Sequence, residues 1–102
     1  MNEIVKDKII LDSIEPLDLY GTDNVHIDLI KSYFSDLVII PRGIEIFLEG
    51  KKESIQKCKS IITLIIDYFH KHQVIDSNDV ERLITDDVKM INLNHDFTLL
   101  GN

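Results

Sequence analysis

The stretch Leu37–Gly50 constrains this chain most: the compact run Leu37-Val38-Ile39-Ile40 meets Pro41-Arg42-Gly43, and then Ile44, Ile46 and Leu48 alternate with Glu45, Phe47 and Glu49. A period of two sends successive side chains to opposite faces, so the second run predicts a half-buried strand. Proline fixes φ at an early turn position and glycine accepts positive φ, so the two runs are expected to pair as an antiparallel hairpin. A hairpin excludes an all-parallel sheet; the sheet is at most mixed. From Lys51 the period changes. Ile55, Cys58, Ile62, Ile65 and Phe69 recur at spacings of three and four, and Ile61, Leu64, Ile66 and Tyr68 widen the arc. This predicts a long helix with Lys52, Glu53, Gln56, Lys57, Lys59, Ser60 and Asp67 toward solvent. So wide a stripe needs cover from the sheet and from other helices or a second copy of the chain.

The remaining signals are shorter. Ile9-Ile10-Leu11 reads as a first strand or an extended arm. Leu17, Asp18 and Leu19 alternate before Tyr20-Gly21, which predicts a brief strand opened by Pro16 and closed by a turn. Thr22 or Asp23 is expected to cap a helix from about Thr22 to Phe34 that buries Ile27, Ile30 and Phe34, with Tyr33 on a neighbouring arc. Asp76 is expected to cap a last helix through Ile84. Ile75 and Val80 form its hydrophobic staple, and Val80, Leu83 and Ile84 its buried edge. In Val88–Asn102 short apolar groups are broken by Asn92, Asn94, His95 and Asp96 without helical spacing, a strand-like pattern. The order predicts an α+β domain over residues 1–87, with about three strands and the helices on one face. Residues 88–102 then begin a linker or strand.

Composition sets limits on function. A chain of 102 residues with 44% hydrophobic and 28% charged residues suits one folded domain. No apolar run approaches the roughly 20 residues of a membrane-spanning helix. Glu3, Lys6, Asp7 and Lys8 are unlike a signal peptide, so a cytoplasmic address and no membrane partner are expected. Cys58 is the only cysteine, which excludes an internal disulfide and a thiolate metal cluster. A formal net charge of -7 argues against broad attraction to nucleic acid. Only the segment from Arg42 to Lys59 is mildly basic. Its Arg42, Lys51, Lys52, Lys57 and Lys59 are the candidate nucleic-acid contacts, set against the competing reading of a solvated helix face.

Residues that could carry chemistry are scattered. Gly21, Gly43, Gly50 and Gly101 open no phosphate loop or dinucleotide fingerprint. Cys58 falls in the apolar stripe, where a thiol is a buried inert group. Of His26, His70, His72 and His95, the closest two are His70 and His72, which point to different sides of a helix. Asp67 and His70 could face one ion, but further ligands are missing from the neighbourhood. Asp86 and Asp87 close a helix, where acidic groups oppose its dipole, and read as a solvated exit. No catalytic, cofactor-binding or metal-binding residue is predicted.

Leu19-Tyr20-Gly21 before a helix, Ile40-Pro41-Arg42-Gly43-Ile44-Glu45-Ile46, Leu48-Glu49-Gly50 and Ile75-Asp76-Ser77-Asn78-Asp79-Val80 together resemble the N-terminal KH-like domain of the PhoH-like ATPase family. These are bacterial proteins in which this module precedes a P-loop ATPase domain. The likeness spans Leu17–Leu83, and the Arg-Gly hairpin is its most specific part. It implies a KH-like βαββα core with an extra C-terminal helix. It also implies a non-catalytic accessory role, with weak RNA contact as one option and protein docking or oligomerisation as the alternative. Leu99-Leu100-Gly101-Asn102 resembles the lead into the ATPase domain, which is the implied partner and would hold the family's ATP and Mg²⁺ beyond this chain. One departure matters: RNA-binding KH domains clamp the backbone with a Gly-X-X-Gly loop. This sequence has none, and the expected order puts only one helix between the first strand and the hairpin.

Overall fold

The hairpin forms, and it sets the register of everything else. In the computed structural model, which describes residues 3–87, the chain runs β1 (Ile4–Ile10), α1 (Pro16–Tyr20), a 3₁₀ turn (Thr22–Asn24), α2 (Val25–Tyr33), β2 (Val38–Arg42), β3 (Glu45–Lys51), α3 (Lys52–His72) and α4 (residues 77–87). Arg42 pairs with Glu45, so the reversal is the two-residue turn Gly43-Ile44, with Gly43 at φ 60°. Proline cannot reach positive φ. Pro41 therefore sits inside β2 opposite Ile46 rather than in the turn, on an edge strand where its missing N–H is tolerated. The turn is held from outside: the Leu11 N–H donates to the Ile44 carbonyl and the Tyr20 hydroxyl to the Gly43 carbonyl, each at 2.7 Å. Burial pushes the Tyr20 hydroxyl's pKa up.

The sheet is wholly antiparallel in the order β1-β3-β2, with Ile9 opposite Ile46 and Ile39 opposite Leu48. Alternation places Ile39, Ile46 and Leu48 on the buried face, and α3 lies over them with Ile55, Cys58, Ile61, Ile62 and Ile65 buried. Helices thus cover one face, in the α+β arrangement expected. β1 is longer than the expected Ile9–Leu11 strand and begins at Ile4. Asp7 points to the helix side and accepts from Lys59 Nζ at 2.6 Å. That bond, aided by the Lys8 backbone N–H, holds the Asp7 carboxyl below the usual carboxylate range. Burial raises the Cys58 thiol to about 12, consistent with an inert group in the helix core.

Two expectations fail between β1 and the hairpin. Leu17–Tyr20 is helix, not strand: Glu15 is an extended N-cap, Pro16 occupies the first turn, and the Leu19 N–H donates to the Glu15 carbonyl at 3.2 Å. Leu19 and Tyr20 are both buried while Leu17 is 67% exposed, which a strand's alternation cannot produce. Two helices, not one, therefore separate β1 from β2. The second starts at Val25 rather than Thr22, because Asp23 and Asn24 adopt positive φ of 56° and 60°, and neither Thr22 nor Asp23 caps it through its side chain.

The last helix agrees with its sequence. The Asp79 N–H donates to the Asp76 carboxylate at 2.8 Å and the Asp76 N–H to the Asp79 carboxylate at 3.1 Å, a reciprocal cap. That backbone donor, followed by Tyr68 and Arg82, holds the Asp79 carboxyl low. Val80 and Ile84 are buried, and Tyr68 reaches Asp79 at 3.2 Å, tying α4 to α3. The strand-like stretch Val88–Asn102, with His95, lies outside the described residues. Among the described residues no helix is long and apolar enough to cross a membrane.

Ile65 is fully buried and Leu64, its neighbour, is 37% exposed. Ile65→Ala should cost about 2–5 kcal/mol by removing core contact, whereas Leu64→Ala should stay within about 1 kcal/mol. Urea unfolding of both variants measures the contrast.

Candidate functional site

The segment that the sequence misread builds one wall of a groove. α1 ends because Gly21 turns to φ 80° while its N–H donates to the Leu17 carbonyl at 2.8 Å. Only glycine fits there: a Cβ would lie 2.8 Å from His26 Cγ and 2.9 Å from Val25 Cγ1. Asp23 and Asn24 then take the left-handed conformation that their short polar side chains tolerate best among non-glycine residues. His26 is buried, and its Nδ1–H donates to the Leu19 carbonyl at 3.2 Å, fastening the start of α2 to the end of α1. Gly21-Thr22-Asp23-Asn24 thus forms a rigid reversal between two helices. Here Asp23 is exposed in that reversal, and a carboxylate at this point repels phosphate.

Beside the reversal, a groove of about 500 Å³ runs between α1 and the start of α2 on one side and the α3–α4 junction on the other. Its wall leaves Leu17, Val25 and Val74 to solvent, with exposures of 67%, 43% and 66%. Asp18 and Asp76 line it, and no lysine or arginine does. An adjoining concavity of about 370 Å³ shares Asp18 and Phe69 with it, adds Asp12 and Glu15, and again has no cation in its lining.

The five basic candidates do not form one face. Arg42 lies at the turn end of the hairpin and Lys51 at the far end of β3, while Lys52 and Lys57 are exposed on α3. Lys59 is occupied by Asp7. What sequence reasoning missed is a different grouping. The register brings Lys6, Lys8, Arg42 and Lys51 onto the open face of the sheet with Glu45, Glu49, half-buried Phe47 and exposed Ile40 and Val38, Lys51 at the far end opposite Ile4. Lys8 pairs there with Glu45 at 3.4 Å. The alternation in β1, Lys6-Asp7-Lys8, was the signal for it.

The histidines among the described residues serve the scaffold. His70 donates from Nε2 to the Ser13 carbonyl at 2.7 Å, and His72 packs on Tyr68 with ring centres 4.2 Å apart. Asp67 and His70 gain no further ligand: among the described residues no three of His, Cys, Asp and Glu gather as a metal site. No protein-family model matches the sequence, and no curated protein matches it.

Gly21→Ala should destabilise the fold by about 1–3 kcal/mol, because the new methyl meets His26 and the backbone is held at positive φ. Thermal unfolding of the variant reads this, and an unchanged midpoint would show that the reversal is not rigid.

Proposed function

We propose that the chain is a non-catalytic accessory domain of the kind that precedes the ATPase in PhoH-like proteins, and that it works by protein contact rather than by holding nucleic acid. The observation that carries the second half is the sign of the charge there: Asp23 is exposed in the reversal, and Asp18 and Asp76 line the groove beside it with no lysine or arginine in that lining. Support for the first half is the run of residues from Leu17 to Leu83 and the topology, now with two helices before the hairpin. ATP and Mg²⁺ belong to the ATPase domain in this reading. No three potential ligands gather among the described residues of this chain, and no step of the proposal passes through either group.

A second reading has one observation in its favour. Lys6, Lys8, Arg42 and Lys51 share the open sheet face with Phe47, and a basic surface with an aromatic ring is the composition that single-stranded nucleic acid uses for stacking and phosphate contact. The two are separated by fluorescence anisotropy with labelled single-stranded RNA at about 0.01 M ionic strength, where charges act over about 30 Å. The docking reading predicts no saturable binding at protein concentrations up to roughly 10⁻⁴ M, the weak end of non-specific affinity. Saturable binding that weakens with salt and is lost in Lys8→Ala/Arg42→Ala would replace it with the second reading.

A further inference from the structure

The groove beside the Gly21 reversal has a chemistry of its own. Exposed apolar side chains are normally scattered singly over a protein surface, but Leu17, Val25 and Val74 face one concavity, with Phe69 half-buried in its wall. The ionisable groups that line it are Asp18 from α1, Asp76 from the α3–α4 junction, and His26 from α2, buried and engaged with the Leu19 carbonyl, while α3 adds Phe69 and α4 Ser77. Asp12 and Glu15 extend the same sign into the adjoining concavity. Four carboxylates and no lysine or arginine thus border an apolar strip, in walls fixed by the Gly21 reversal and by the reciprocal Asp76–Asp79 cap.

We propose that this groove docks a cationic amphipathic segment of a partner protein, with leucine-like side chains against Leu17, Val25 and Val74 and lysine or arginine against Asp18, Asp76, Asp12 and Glu15. Charge complementarity selects this occupant. An acidic or phosphate-bearing ligand meets only like charge along the strip, and a purely apolar one leaves the carboxylates without a counter-charge. The inference rests on the protein-contact reading and adds the chemistry of the partner and its place on the domain.

The test uses the ¹⁵N-labelled chain at about 0.15 M salt, where screening limits attraction between charges more than about 8 Å apart. Three titrations are compared: a peptide with Lys and Leu at helical spacing, the same peptide with Glu for every Lys, and single-stranded RNA. The Lys peptide is expected to shift the amides of residues 17–26 and 73–77, and the Glu peptide to shift none. Leu17→Ser/Val74→Ser, both at exposed positions, should weaken the Lys peptide by roughly tenfold or more, as loss of central apolar anchors does. Asp18→Asn should weaken it severalfold. Shifts confined to other surfaces, equal binding of the Glu peptide, or undiminished affinity in the double variant would overturn the groove assignment. So would shifts at the groove that appear on concentrating the chain alone, which would make a second copy its occupant. RNA-induced shifts would instead sink the protein-contact reading, so the two failures are distinguishable.

Discussion

The structure depends on the packing of α3 across β3. Ile46 and Leu48 are the inward residues of the central strand, and Ile55, Cys58, Ile61, Ile62 and Ile65 lie over them as a nearly continuous buried ridge. Because the strand's period is two and the helix's is 3.6, a one-residue slip in β3 would send Ile46 and Leu48 to solvent and bring Phe47 and the carboxylates of Glu45 and Glu49 under the helix. That penalty fixes the register of the hairpin, and through β1 that of the whole sheet. The turn is fastened from outside the hairpin: the Tyr20 hydroxyl donates to the Gly43 carbonyl and the Leu11 N–H to the Ile44 carbonyl.

With one long helix on one side of three strands, the other side has no cover among the described residues. Its exposed rows of Val38 and Ile40 beside Lys6, Lys8 and Arg42 follow from the register alone. The sheet's edges are moderated in different ways: Pro41 removes a donor from β2, and the Lys6-Asp7-Lys8 sequence puts charge along β1. The shaped surface lies elsewhere, at the end of the core where α1, α2 and the α3–α4 junction meet. The non-glycine residues of positive φ among those described, Asp23, Asn24 and Gln73, lie there within or beside the groove together with Gly21. Conformations of that kind persist where surrounding packing fixes them, and here a buried histidine and a reciprocal cap do so.

Sequence reasoning captured what long periodic patterns encode. The hairpin, the long helix with its buried Cys58, and the Asp76 cap before buried Val80 were all legible, because each rests on several residues that agree. The α1 helix was not. Leu17, Asp18 and Leu19 offer only three residues of alternation, too few to separate a strand from one helical turn, and Pro16 suits the start of either. From that one misassignment followed the wrong helix count before the hairpin and the wrong start for α2. The candidate site suffered more. Arg42, Lys51, Lys52, Lys57 and Lys59 are neighbours along the chain, but β3 and α3 carry them to separate places. The groups that do come together, Leu17 with Val74 and Asp18 with Asp76, are more than fifty residues apart in sequence.

The α3–β3 core holds the fold, and the groove and the open sheet face lie on its margin. Native-state hydrogen exchange tests this most directly. If α3 and β3 are one cooperative unit, the amides of Ile46 and Leu48 and those from Cys58 to Ile65 exchange only through global unfolding, with one common free energy equal to that from urea denaturation, while Gly21–Val25 opens more easily. Exchange of the α3 amides at a free energy well below that of β3 would contradict the account, since the helix would then leave the sheet without unfolding it.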